Sequence, residues 1–266
     1  MAGNLRSVAV VSAGTMSSRI LGLVRDVLIF SFLGASQVNS AFLLAFTIPN
    51  LFRRLLGEGA MTSAVVPLLS DALERENRQS GFVLLNRVLT RLAVVLLVLT
   101  LAGYGLALLG TGVGGFPPRW YVVMDLSLIL LPYLIFICIA AIYGAALNVM
   151  GRFAVPAVSP VLLNLSMTGF LGGLGAWLGE GPREWVVFLS FGVLFGGALQ
   201  FLFPAAALWL EGWRPRWDTR DDPGLSRLWQ LLLPGLGGAA VLQVNILVSR
   251  ALAFWLEEAA VAILYL

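Results

Sequence analysis

Five arginines stand inside long apolar runs of this chain: Arg19, Arg25, Arg53, Arg54 and Arg250. A charge at the middle of a bilayer costs at least about 2.5 kcal/mol on insertion scales, so such residues ordinarily face water, a partner or an anion rather than lipid. Asp26 adjoins Arg25, and Glu58 follows Arg54 by four residues, the spacing of an intrahelical ion pair. That single carboxylate can neutralise Arg53 or Arg54 but not both. The planar guanidinium fork makes paired hydrogen bonds to phosphate oxygens, which an ammonium group cannot reproduce. Arg19, Arg25, Arg53 and Arg54, carried by two adjacent apolar segments, therefore point to a site for a large anion such as phosphate or pyrophosphate.

Other chemistries lack their parts. The chain contains no histidine, which removes the usual zinc hydrolase, Ser–His–Asp and haem arrangements. Its single cysteine, Cys138, lies in an apolar run and excludes an internal disulfide framework or a thiolate cluster. No catalytic constellation, metal site or cofactor is expected. A net charge of +3, all of its positive side chains arginine, is too small to point to nucleic acid.

The elements that must position these residues are helices in a membrane. Of the 266 residues 59% are hydrophobic and 12% charged, with mean hydropathy +0.91, against about 45–50% apolar and about 25% charged in soluble domains. A bilayer core of about 30 Å needs about 20 apolar residues of helix. Charge-free stretches of that length cover 92–118, 126–151, 153–179, 185–210 and 228–249. A further run, 27–52, is divided by the turn signal LGASQVNS. The expectation is an all-α polytopic protein with seven spans near 8–32, 41–68, 83–112, 122–148, 156–178, 185–210 and 228–254, and an eighth helix opening at Ala259 and cut at Leu266. Residues 1–210 hold the first six spans. The stretch 211–227 reads as an interfacial connector, and 228–266 opens a second group of helices.

Within these spans, Pro49 removes a backbone donor just before Asn50, Arg53 and Arg54. Asn164 and Gln243 are intramembrane amides suited to interhelical hydrogen bonds, and Gly192 with Gly196 forms a close-packing G-x-x-x-G pair. Outside the spans, Arg6, Arg75, Arg78, Arg87, Arg91, Arg152, Arg214, Arg216, Arg220 and Arg227 fall on one side, Arg119 and Arg183 on the other. That bias puts the N-terminus in the cytoplasm.

Two of the arginine-bearing segments carry a resemblance. Ser18-Arg19-Ile20-Leu21-Gly22-Leu23-Val24-Arg25-Asp26 resembles the S-R-x-L-G-x-x-R-D motif of the MurJ/MviN lipid II flippases. Ile48-Pro49-Asn50-Leu51-Phe52-Arg53-Arg54 through Glu58-Gly59-Ala60 resembles the family's I-P-N-L-x-R-R-x-x-x-E-G-A. Similarity continues at Asn148, Arg152-Phe153, Pro156, Pro160, Asn164, Pro234 and Gln243. The resemblance implies the multidrug/oligosaccharidyl-lipid/polysaccharide exporter fold, with two six-helix lobes and a C-terminal helix pair around a cationic cavity. This chain would supply the N-terminal lobe, the seventh helix and the start of the eighth, the C-terminal lobe lying outside it. The implied activity is non-enzymatic: flipping of lipid II, a polyprenyl-pyrophosphate glycolipid, across the bacterial inner membrane by alternating access. Arg19, Arg25, Arg53 and Arg54 would bind the head group, with Asp26, Pro49, Asn50, Glu58, Asn164 and Gln243 in gating or structural support. Membrane lipids complete the expected partners. An exporter of another polyprenyl-linked glycan, or a membrane scaffold without transport, are the alternatives. The family's acid before Ala41-Phe42 is replaced here by Ser40.

Overall fold

The computed structural model describes residues 2–55, 60–75, 77–221 and 223–265. Helix α1 (Ala2–Leu33) has 32 residues, about 48 Å at 1.5 Å per residue. The expected turn follows it. Gly34 takes a left-handed φ of +59° that a Cβ would disfavour, and Asn39 Nδ2 donates to its carbonyl at 2.6 Å. Ser36 caps α2 (Gln37–Phe52) by accepting from Asn39 N at 3.2 Å.

Three helices lose regularity where the sequence pattern runs straight through. The span expected over 41–68 is two helices, α2 and α3 (Ala60–Arg75), with a π-helical turn over residues 53–55. Pro49, inside α2, lacks an N–H and crowds the preceding turn, and the chain widens within one turn after it. After α4 (Arg78–Val113), the span expected over 122–148 is divided into α5 (Pro118–Leu130) and α6 (Tyr133–Val149). They meet at an angle of 43° beside Pro132. Helix α7 (Ala154–Gly169) passes through the π-helical stretch Phe170–Gly175, FLGGLG, into the short α8 (Ala176–Leu178). Helices α9 (Pro182–Leu210), α10 (Pro223–Leu256) and α11 (Ala260–Tyr265) complete the chain. Among the described residues there is no strand.

Among the described residues, four helices are by length and composition long and apolar enough to cross a bilayer: Arg78–Val113, Ala154–Leu178, Pro182–Leu210 and Gly235–Leu256. The α5–α6 pair makes a fifth if taken as one bent span. Helix α1 and the α2–α3 pair fall outside that measure. Helix α1 carries Arg19, Arg25 and Asp26 close together, and α2 and α3 have only 16 residues each, with Arg53 and Arg54 just after α2.

Packing sets the walls of the site. Helix α1 lies on α7, and α7 on α9. A Cβ on Gly14 would meet Ala157 O at 3.1 Å, so α1 and α7 approach nearly backbone to backbone. On α9, a Cβ on Gly192 would reach Met167 Cα at 3.1 Å, and one on Gly196 would reach Leu163 Cα at 3.0 Å. Ser166 Oγ donates to Gly192 O at 2.7 Å across this seam. Helix α9 also packs on α6, where buried Tyr133 fills the space beside Gly197.

Residues 211–221 form a strap on the N-terminal half of α4. Trp213, 2% exposed, donates its indole N–H to Asn86 Oδ1 at 2.9 Å. Asn86 Nδ2 donates in turn to Arg214 O at 3.0 Å. One turn on, Thr90 Oγ1 accepts from Asp218 N at 3.1 Å, and Arg87 pairs with the Asp218 carboxylate at 3.3 Å. Arg91 donates to the carbonyls of Thr219 and Arg220. Asn86, Arg87, Thr90 and Arg91 thus form an i, i+1, i+4, i+5 stripe on one helix face.

Candidate functional site

The helices enclose a cavity of about 610 Å³, within the roughly 300–1,000 Å³ range of small-molecule sites. Helix α1 contributes Arg25 and Asp26 to its lining, α2 contributes Thr47 and Asn50, and the π-turn contributes Arg53 and Arg54. From α7 come Ser159 and Asn164, and from α10 come Gln243 and Arg250. Four guanidinium groups face one carboxylate among these lining residues, three positive charges in excess.

Each cation is held differently. Arg25 Nε and Nη2 donate to Asp26 Oδ1 at 2.9 and 2.7 Å, while Nη1 donates to Asn164 Oδ1 at 2.8 Å. Arg53 Nε reaches Asn50 Oδ1 at 3.4 Å. Arg54 is exposed, and Arg250 Nη1 donates to Thr47 Oγ1 at 2.6 Å. The Thr47 hydroxyl passes its own proton to Leu43 O at 2.6 Å, so its donor is used within α2 and its acceptor faces α10. Such an arrangement can hold a polyanion by charge and by directed N–H donors. It offers no nucleophile–base pair.

The residues singled out in the sequence are not all brought together. Arg25, Asp26, Asn50, Arg53, Arg54, Asn164 and Gln243 line the cavity. Pro49 is buried within α2, which continues through it to Phe52, and is not among the lining residues. Arg19 is exposed on α1 and is not among the lining residues. It precedes Asp26 by seven residues, close to two turns, and so lies below Asp26 on one stripe of α1. Glu58 lies outside the described residues. Arg250 stands within an expected span but alone on its segment, so the sequence assigns it no role. Thr47 gives no signal beyond its position in the same apolar run as Asn50. Ser40 is wholly buried, and its hydroxyl accepts from Ala262 N at 3.0 Å in the first turn of α11. Among the described residues no group of three or more His, Cys, Asp or Glu side chains could hold a metal ion.

A second polar cluster sits at one end of the bundle. Glu211, at the end of α9, pairs with Arg78 and with Arg152, the latter at 2.6 Å. The Arg78 and Arg152 guanidinium groups hold its carboxyl below the usual range. Asp218 in the strap is likewise held well below the usual carboxylate range, first by Arg220 and then by Arg87. These contacts gather residues 78, 152 and 211–221 at one end. At the opposite end Phe32 packs edge-on against Trp185, with ring centroids 5.1 Å apart, and Arg119 donates to Trp255 O.

The all-helical, multi-pass arrangement is that of a polytopic membrane protein, and similarity to known proteins identifies its family. The family model for lipid II flippase MurJ matches residues 29–266. The probable lipid II flippase MurJ of Vibrio cholerae is 36% identical over 98% of this chain and 51% of its own length. That of Haemophilus influenzae is 34% identical over 94% of this chain and 51% of its own. A solved lipid II flippase MurJ in an inward closed conformation superposes with TM-score 0.77 at 25% identity, over 95% of this chain and 52% of that one. A transporter of the multidrug/oligosaccharidyl-lipid/polysaccharide superfamily from Pyrococcus furiosus shares the fold, with TM-score 0.64 at 14% identity, over 93% of this chain and 55% of that one. The chain belongs to the lipid II flippase MurJ family. It spans about half the length of the curated relatives it matches.

Proposed function

We propose that this chain is the N-terminal portion of a flippase for lipid II, and that its cavity takes the pyrophosphate and sugars while the polyprenyl tail stays in lipid. The observation that carries the reading is the cavity lined, among the described residues, by Arg25, Arg53, Arg54 and Arg250 against the one carboxylate of Asp26. Attraction between this excess of positive charge and an anionic head group is strong in a poorly screened site. Arg19, lower on the α1 stripe, meets the head group at the entrance. Residues 1–210 are the first lobe, 211–227 the connector and 228–266 the opening of the second lobe. The N-terminus faces the cytoplasm of the bacterial inner membrane, as the arginine bias between loops requires. Transport follows when the two lobes rock around the fixed site and expose it to the other leaflet.

The test is leaflet exchange of a labelled lipid II analogue in proteoliposomes holding the protein expressed from its complete reading frame. Exchange should fall at least tenfold on Arg53→Ala and recover only in part with Arg53→Lys, because an ammonium group restores charge without the fork. Equal exchange of lipid II and of other polyprenyl-pyrophosphate glycans would turn the assignment to a broader exporter. Full exchange by the Arg25→Ala, Arg53→Ala and Arg54→Ala variants would remove the cavity from the mechanism.

A further inference from the structure

Arg250 has no carboxylate partner among the described residues; its hydrogen-bond partner is the Thr47 hydroxyl. It lies on the one inward-facing stripe of α10. Between 241 and 250, Gln243, Ile246, Leu247 and Arg250 are half-buried while the other side chains are exposed. The spacing i, i+3, i+4, i+7 is that of a single helix face. Gln243, Ile246 and Arg250 all line the cavity.

A hydrogen bond from α10 to Thr47 does not need a charge. Glutamine at this position would donate as well, without placing a cation opposite three others. A guanidinium carries five N–H donors, and the Thr47 hydroxyl offers one acceptor whose own proton is already committed to Leu43 O. Thr47 therefore fixes where the group points without compensating its charge. What remains to be supplied is negative charge from within the cavity.

We propose that Arg250 is a head-group ligand, a phosphate-binding residue delivered by α10 from beyond the strap, and that Thr47 is its resting partner when the cavity holds no anion. The inference rests on the cavity being the head-group site. It adds that the anion is gripped from both sides of the connector: by Arg25, Arg53 and Arg54 from α1 and the end of α2, and by Arg250 from α10. A bound pyrophosphate competes with Thr47 for Arg250, so anion binding and the α2–α10 hydrogen bond exclude one another.

The experiment measures the affinity of the purified full-reading-frame protein for a polyprenyl pyrophosphate without sugars, as a function of salt, together with Tm. Arg250→Leu should weaken binding tenfold or more and lower the salt dependence, and Arg250→Lys should restore part of it. Thr47→Val removes the resting bond and leaves the ligand, so its affinity should equal or exceed that of the parent even if Tm falls. Thr47→Val weakening binding as much as Arg250→Leu would make Arg250 a latch between helices and overturn the proposal. Unchanged binding in Arg250→Leu, with binding lost in Arg53→Leu, would overturn it while leaving the cavity as the head-group site. Failure of the parent to bind the probe would overturn both. Arg250→Gln, which keeps the hydrogen bond to Thr47 without the charge, serves if Arg250→Leu does not fold; its binding should fall as far, and parent-like binding would overturn the proposal.

Discussion

Asn164 joins Arg25 to the backbone of its own helix. Its Oδ1 accepts from Arg25 Nη1 at 2.8 Å, and its Nδ2 donates to Ser18 O at 2.9 Å. Replacing it with leucine would remove both bonds, leaving Arg25 with Asp26 alone, a loss of about 1–3 kcal/mol that should appear as a lower Tm. Asn164→Asp keeps the acceptor and adds a carboxylate, cutting the positive excess of the cavity from three charges to two. Affinity for a polyprenyl pyrophosphate should then fall several-fold, with a shallower salt dependence; parent-like affinity in Asn164→Asp would limit Asn164 to holding α1 on α7. The cavity arginines on α1 and α2 were legible in the sequence because a charge inside an apolar run is a rare and costly feature. Arg250 gave the same signal, but no local pattern tied it to a residue some two hundred positions earlier. Arg19 gave it too, yet lies off the lining, because it stands about two turns from Asp26 along α1 and so at a different depth.

Among the elements, the α7–α9 seam is the least tolerant of added volume. A Cβ at Gly192 or Gly196 would contact backbone atoms of α7, Met167 Cα and Leu163 Cα, as well as side chains that could shift. Gly192→Leu should therefore destabilise the protein by about 1–3 kcal/mol through overpacking, read as a lower Tm in detergent. A parent-like Tm would mean that α7 shifts to accommodate the branch. The strap on α4 depends on charge instead. Glu211 and Asp218 are held below their usual carboxylate range, so their contribution is complete above about pH 5 and is lost progressively as pH falls further. A spin label at Trp217→Cys, in a Cys138→Ala background, should stay immobile from neutral pH down to that range and loosen below it. Asp218→Asn should be looser already at pH 7; an immobile label there would assign the docking to Trp213 and Asn86 alone. The G-x-x-x-G seam was readable because small residues at helical spacing have one common use. The π-helical turns after Phe52 and at Phe170–Gly175 were not, because a shift in hydrogen-bond register depends on what neighbouring helices admit.

Across the whole molecule, the end that gathers Arg78, Arg152 and Glu211 is proposed to be cytoplasmic. Cysteines at Gln79 and Thr219, in the Cys138→Ala background, should resist an impermeant thiol reagent added to intact cells, whereas one at Glu180 should react. Labelling at residue 79 from outside would invert the assignment. Residues 1–266 contain the arginines and amides that line the cavity, so expressed alone they should retain weak head-group binding. In the proposed mechanism leaflet exchange needs two opposed walls, of which these residues would supply chiefly one. Arginine-dependent exchange by residues 1–266 alone in proteoliposomes would mean that copies of this half assemble the missing wall. The all-α class and the membrane habitat were evident from composition, because long charge-free apolar runs have few other uses.

The cations that line the cavity are all guanidinium groups, and the chain contains no histidine. A guanidinium keeps its proton at any pH a cell visits, so these arginines cannot themselves act as a proton switch. Acidification or alkalinisation near neutrality cannot discharge them. An anion held there, as proposed, could not be let go by titrating its arginine ligands. Its release would have to come from separating the arginines or from admitting water and counter-ions between them and the phosphate. A grip that cannot be neutralised must be loosened by moving.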